Sequence, residues 1–313
     1  MNEVLFYIIN LFKKILIEIM KRILFKLLFT VLIFALGTSY TDMASAKGLK
    51  EPKGKIKEFG VIPKRIGGKW LKSNPKECLE YMAKMGYTQM DNPIPAEWGM
   101  TREELKPYLK SLGIKPVIIS VSPQAIINEK DRTELMQAIE NAKFWGVKYL
   151  VCYSSTGGSR NTIEAWKDWA YILNKAGKIC KENGLMLLYH NHAREFELIN
   201  GKSPSEAMLE VMDPKLVNYY LDVAWAIKGG ADPVKFINDN PGRVLSLHLK
   251  DLRANRKTLE DLGLGIIDYK AVFSAAHKAK VKYYIVEMDT PPVNSKTSIE
   301  KCAEYLKNVR FEK

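Results

Sequence analysis

The stretch KDRTELMQAIENAKFWG, Lys130 to Gly146, runs without a break into VKYLVCYSS, Val147 to Ser155, and the change of rhythm between them decides the fold. In the first half, apolar residues recur three and four apart, the spacing of a helix with one buried face. In the second, Tyr149 to Ser154 is a short continuous apolar run, as expected of a strand buried on both sides. Gly146 stands at the junction, where a left-handed residue closes a helix cheaply.

The same unit recurs along the chain. Strand candidates are Ile56 to Ile62, Tyr87 to Ile94, Pro116 to Val121, Tyr149 to Ser154, Leu185 to His190, Val217 to Val223, Val244 to Lys250 and Tyr283 to Met288. Amphipathic segments such as PKECLEYMAKMG separate them. Helix starts are marked by pairs that fit a capping box, Thr101 with Glu104, Asp131 with Glu134, Asn161 with Glu164, Ser203 with Glu206 and Thr297 with Glu300. Pro75, Pro204 and Pro233 follow Asn74, Ser203 and Asp232, as suits a first helical position. The junctions MGY, LGI, WGV and NGL repeat the glycine stop. Eight β/α units without a composition break predict an α/β fold, a single-domain (β/α)8 TIM barrel. An open doubly wound sheet is the rival, but GVIPKRIGGKW does not fit the glycine-rich phosphate fingerprint.

The first 46 residues read differently. Lys21, Arg22 and Lys26 precede the apolar run Leu27 to Leu36, and Ala44-Ser45-Ala46 supplies a small-x-small cleavage pattern. Residues 1–46 are therefore expected to be a cleavable signal peptide with a true start at Met20, and 47–313 the barrel. A retained anchor is the alternative, against which stands a run shorter than the roughly 20 residues that span a bilayer. Export, to the periplasm, follows as an expectation, with no stable membrane anchor after cleavage.

The formal net charge of +13 is scattered along helices among acidic residues, with no basic tract interleaved with aromatics, and reads as a solvated surface. Nucleic acid is accordingly not an expected partner, while a homo-oligomer is compatible with the sequence. Cys78, Cys152, Cys180 and Cys302 lack the spacing of a zinc site or a disulfide framework and read as buried thiols.

In a barrel, reacting groups sit where strands end. His190 and His192 end the fifth strand, Asp222 the sixth, His248 and Lys250 the seventh, and Glu287 the eighth, with Asp289 just beyond. Period-two geometry puts His190 and His192 on one face if the strand persists, and likewise His248 and Lys250. His277, in YKAVFSAAHKAK, reads as a surface residue. Imidazoles and carboxylates converging from four strand ends point to a divalent metal ion, and the mixed N/O set suits Mn, Co, Fe, Ni or Zn better than Mg or Ca.

The blocks YHNHAREFE, LDVAWAIKGGADPVKFI, LHLKDL and LGLGIIDYKAVFSAAHKAKVKYYIVEMD, in this order from about Lys55 onward, resemble the sugar phosphate isomerase/epimerase family of xylose isomerase-like TIM barrels, in its inosose dehydratase-like branch. The resemblance implies a metal held by His190, Asp222, His248 and Glu287. It also shows a departure, since many relatives carry a carboxylate where this chain has His190. That departure leaves open whether His190, His192 or Glu197 completes the shell.

The reactions so implied are isomerisation or epimerisation of a sugar by proton abstraction next to a carbonyl, through an enediolate. Alternatives are a lyase or dehydratase acting on a keto-sugar, keto-inositol or keto-glycoside, and a non-catalytic carbohydrate-binding barrel. Glu287 is the expected base, Lys250 an electrostatic or proton-transfer partner, and His192 and Glu197 candidates for the second transfer. Asp91, Trp98, Trp225 and Arg160 are candidates to hold a small-molecule carbohydrate substrate: Asp91 through hydroxyls, the two tryptophans by stacking, and Arg160 beside Tyr153 in the SSTGGSR loop. Arg160 suits a phosphate, but export argues for an unphosphorylated sugar or glycoside.

Overall fold

The computed structural model describes residues 54–153 and 160–313; the expected signal peptide and the Ser154–Ser159 part of the loop after the fourth strand lie outside them. Eight strands form the barrel: β1 Gly60–Val61, β2 Gln89–Asp91, β3 Lys115–Val121, β4 Tyr149–Tyr153, β5 Met186–His190, β6 Val217–Asp222, β7 Val244–Leu249 and β8 Tyr283–Val286. Each pairs in parallel with its neighbours in chain order, and the ring closes where Gly60 and Val61 of β1 pair with Ile285 and Val286 of β8. A short antiparallel hairpin, Asp251–Leu252 with Leu259–Glu260, stands outside the ring after β7.

Both faces of the strands are covered, which is why they read as apolar runs rather than as alternation. Leu150, Cys152, Leu187, Tyr189, Leu221, Leu247 and Val286 belong to the larger core, to which the helices also contribute. The residues between them, Val151, Leu188, Tyr220 and Ile285 among them, fill the barrel interior as a second cluster with Tyr149, Tyr153 and Tyr283. Each fully buried aliphatic side chain contributes about 1.5–3 kcal/mol relative to exposure. Continuing this period-two pattern to the C-terminal ends carries polar residues, instead of apolar ones, into the barrel mouth.

The glycine stops are realised as expected: Gly86, Gly113, Gly146 and Gly184 all have positive φ, from 72° to 95°. Pro75, Pro204 and Pro233 open their helices. The capping boxes are not uniformly realised. Thr101 and Glu104 form the reciprocal pair. Asp131 instead bonds the Thr133 amide ahead of a helix that begins at Thr133. Thr162, not Asn161, caps the helix Ile163–Glu182, and Asn294, not Thr297, caps Ser295–Asn308 by accepting from the Thr297 amide. Ser203 occupies the cap position, but its hydroxyl donates to the Glu195 carbonyl. The physical reason is competition: a nearby side chain reaches the same orphan amide, or the capping hydroxyl finds a tertiary acceptor.

No helix among the described residues is long and apolar enough to cross a membrane. Cys78, Cys152, Cys180 and Cys302 are buried free thiols, and His277 is exposed.

Candidate metal centre

His190 is the last residue of β5 and Asp222 the last of β6, while Glu287 lies one residue past β8. His248 is on β7, opposite Asp222 on one side and Ile285 on the other. Register therefore delivers the four side chains to one level. All four are buried, and one ligand atom from each lies within 4.8 Å of all the others. His190 Nε2 is 4.0 Å and His248 Nδ1 3.9 Å from Asp222 Oδ2, and His248 Nδ1 is 3.1 Å from Glu287 Oε2.

The surroundings fix these side chains. Asp91 Oδ2 lies 3.4 Å from His248 Nε2 and accepts the hydroxyls of Tyr220 at 2.8 Å and Tyr153 at 3.0 Å. Asp222 caps the helix Val223–Lys228 through Oδ1, which accepts from the Trp225 amide at 2.8 Å, so that Oδ2 is turned to the cluster. Asn191 bridges both backbone groups of Asp222. Lys250, one residue past β7 and almost fully buried, places Nζ 3.0 Å from Asp222 Oδ2, 2.5 Å from Glu287 Oε2 and 3.4 Å from Asp289 Oδ2. Arg65, at the lip, reaches Glu287 Oε1 at 3.5 Å and Asp289 Oδ1 at 3.1 Å.

Burial holds His190 well below the ordinary imidazole range, and neighbouring His248 acts in the same sense. Burial would depress His248 as well, but the facing carboxylates of Glu287 and Asp91 outweigh it and hold that imidazole at about 9. Desolvation opposes ionisation of Glu287, yet Lys250 and His248 keep it well below the carboxylate range. Asp222 is raised by its burial.

Does this set fit a cation? His190 Nδ1 is buried without a hydrogen-bond partner, and Asp222 Oδ2 and His248 Nδ1, also buried, have only ion-pair contacts, to Lys250 and Glu287, that lack hydrogen-bond geometry. An unsatisfied buried polar group costs about 1–3 kcal/mol, and acceptors gathered this closely are satisfied together by one shared cation. Two imidazoles and two carboxylates are the donors expected for a late first-row divalent ion. Asp91 completes a carboxylate–histidine pair of the kind that fixes a ligand's tautomer. The residues fit.

The other sequence candidates fall in several places. β5 stops at His190, so His192 is not a strand-mate of it; the half-buried His192 ring lies perpendicular to His190 at 5.1 Å and to Trp225 at 5.2 Å. Glu197 is exposed, whereas Glu195, not singled out from the sequence, is buried and accepts from the Tyr189 hydroxyl and the His192 amide. Trp225 is half-buried with the Lys228 ammonium 4.2 Å from its ring centroid. Trp98 is buried in the larger core, and Arg160 lies over the rings of Trp166 and Trp169. The contacts of Asp91 described above are with protein groups at the base of the cluster. Tyr220 and Arg65 were missed. Tyr220 was findable as the residue two before Asp222 on the same strand face; Arg65 carries no local signal.

The family model described as a xylose isomerase-like TIM barrel matches residues 79–309. The chain is 28% identical over 202 residues to inosose dehydratase of Geobacillus kaustophilus; the alignment takes in 56% of this chain and 62% of that protein. Thus the chain spans less than two thirds of that relative's length. The crystal structure of a sugar phosphate isomerase/epimerase from Parabacteroides distasonis superposes with a TM-score of 0.68 at 23% identity, covering 86% of this chain and 98% of that one. The IolI protein, crystallised with a zinc atom, gives a TM-score of 0.64 at 18% identity over 79% of this chain and 95% of its own. These structural likenesses establish the shared fold.

Proposed function

The chain belongs to the family of xylose isomerase-like TIM barrels, and from that premise we propose that it is a metal-dependent carbohydrate isomerase that removes a proton from the carbon beside a carbonyl. The observation that carries the reading is the gathering of His190, Asp222, His248 and Glu287 at the barrel mouth. A divalent cation held there supplies Lewis acidity toward neighbouring carbonyl and hydroxyl oxygens of a sugar.

The chain's own groups supply the proton movements. Glu287 divides its carboxylate: Oε2 faces His248 and Lys250, and Oε1 faces the lip, where Arg65 stands 3.5 Å away. Oε1 is the base. Lys250 and His248 keep this carboxylate in the ionised, proton-accepting form, at the cost of lowering its basicity. Lys250, in contact with Asp222, Glu287 and Asp289, compensates the charge of the resulting enediolate's surroundings and links two carboxylates between which a proton can pass.

A single basic face distinguishes among outcomes. Returning the proton to the adjacent carbon on the same side needs one base and gives isomerisation, whereas inversion at one carbon needs a second base opposite the first. The resemblance places that second carboxylate at His190 here, an imidazole whose lone pair serves the cation in this reading and whose basicity burial lowers. The geometry therefore supports isomerisation over epimerisation. Dehydration of a keto-sugar or keto-inositol is the second reading, favoured by the likeness to inosose dehydratase and by an ammonium, Lys250, beside Glu287 that is able to donate to a departing hydroxyl. With the leader read as an export signal, the substrate is an unphosphorylated carbohydrate outside the cytoplasm.

The test is metal analysis of the purified protein followed by incubation with free and oxidised sugars in D2O. Deuterium entering an intact isomerised product supports the first reading, and an unsaturated product the second. Binding without deuterium uptake by any sugar would remove the catalytic reading.

A further inference from the structure

We infer that Lys228 is the anion-holding residue of this site, its ammonium receiving a negatively charged oxygen of the substrate beside the metal cluster. The inference rests on the proton-abstraction reading and deepens it by specifying the charge of the molecule acted upon.

Lys228 ends the short helix Val223–Lys228 that Asp222 caps, and it interacts electrostatically with Lys250, Asp222 and Asp289 of the cluster. Its Nζ lies over the Trp225 indole, whose edge contacts lead through His192 to His190. Other cations around the cluster have acidic partners: Lys250 has Asp222, Glu287 and Asp289, and Arg65 has Glu287 and Asp289. Among the described residues, no carboxylate lies within ion-pair distance of Lys228. A half-buried ammonium resting on an aromatic face is attracted by the ring's quadrupole, which parks it without neutralising it. Burial and the charge of Lys250 hold it below the ordinary lysine range.

Charge counting points the same way. With His190 and His248 neutral, the carboxylates of Asp91, Asp222, Glu287 and Asp289 face the cations Lys250, Arg65 and Lys228. Adding a divalent ion leaves the loaded mouth with one positive charge in excess, and an anionic oxygen near Lys228 balances it. That oxygen has two sources, a carboxylate fixed on the substrate or the enolate oxygen that appears only when the proton leaves.

The experiment compares wild type, Lys228→Met and Lys228→Arg at matched metal content, using calorimetric binding and deuterium uptake with paired ligands, a keto-hexuronate and the neutral ketohexose of the same configuration. If the source is a fixed carboxylate, wild type binds the acid about tenfold more tightly than its neutral partner, K228M loses the preference and K228R restores it. If it is the enolate, K228M leaves binding and KM of the neutral ketose unchanged and slows its deuterium uptake about tenfold. Binding and exchange that are both indifferent to residue 228, or no binding by either ligand, overturn the inference. A Lys228-dependent preference for the acid without exchange or elimination on any ligand upholds anion holding and removes the proton-abstraction reading instead.

Discussion

Asp91 Oδ2 lies 3.4 Å from His248 Nε2, on the side of the imidazole opposite the metal cluster. The pair spans the barrel interior, from the end of β2 to β7, and two phenols hold the carboxylate in place. With Nε2–H donating to Asp91, the lone pair of His248 is left on Nδ1, facing Asp222 and Glu287. Asp91→Asn offers an N–H where the acceptor stood and favours the opposite tautomer. Metal affinity is expected to fall about 10–100-fold with the fold retained. Competition with a chromogenic chelator measures it; unchanged affinity would show that His248 needs no orienting partner.

Loading the centre should release one proton near neutral pH. His190 is held neutral by burial, so it has none to give. His248 titrates at about 9, raised from 6.5, and must lose its Nδ1 proton to become a ligand. Affinity is therefore expected to rise about tenfold per pH unit from pH 7 and level off near pH 9. In the metal-free protein the sign is opposite. A raised folded-state value means that the stabilisation from His248 is fully present below pH 6.5 and is lost as pH rises through about 9. Calorimetric loading in buffers of different ionisation enthalpy counts the proton, and a count near zero contradicts the assignment.

The barrel was legible because its evidence is redundant. The alternation of eight runs survives shortening of single members, so trimming Ile56–Ile62 to Gly60–Val61 and Tyr87–Ile94 to Gln89–Asp91, five residues each, left the topology intact. The metal cluster was legible for a related reason, since strand ends are registered by pairing, and pairing across β5 to β8 is nearly in step. Loops have no such register. Glu197 and Glu195 are two residues apart in one loop, and only the fold decides that Glu195 turns inward to Tyr189. Asp91 was singled out for substrate hydroxyls, whereas the three partners around it come from β4, β6 and β7. Long-range partners leave no mark in a local spacing.

The four cysteines should be unreactive in the folded protein. Burial pushes Cys78 and Cys180 up to about 12, and Cys302 as well, and raises Cys152. The thiolate is the reacting species, so an aromatic disulfide reagent at pH 8 is expected to titrate none of the thiols in native protein and all four after denaturation. A fast-reacting thiol in the native state would mean that the helix layer around one of them opens.

Asp251 holds the loop after the hairpin, and its loss should destabilise the molecule more than loss of any exposed ion pair. Its fully buried carboxylate accepts from the backbone amides of Leu252, Gly263, Gly265 and Ile267, at 2.8 to 3.2 Å. Asp251→Ala leaves several of those donors without an acceptor, and one unsatisfied buried donor alone costs about 1–3 kcal/mol. A loss of about 3 kcal/mol or more is expected, which for a chain of this size corresponds to a fall in Tm of roughly 6–12 °C. Gly265→Ala probes the same contact from the other side, because a Cβ there runs into the Asp251 carboxylate and the Leu252 carbonyl; overpacking of this kind costs about 1–3 kcal/mol. Since Lys250 precedes Asp251 and its carbonyl accepts from the Tyr269 hydroxyl at 2.7 Å, loosening this loop also frees the lysine that bridges Asp222 and Glu287. Thermal unfolding of D251A and G265A checks the stability half of the argument. Turnover of the G265A protein at a temperature where it is fully folded checks the other, and wild-type turnover there would show that the loop's order is not transmitted to Lys250.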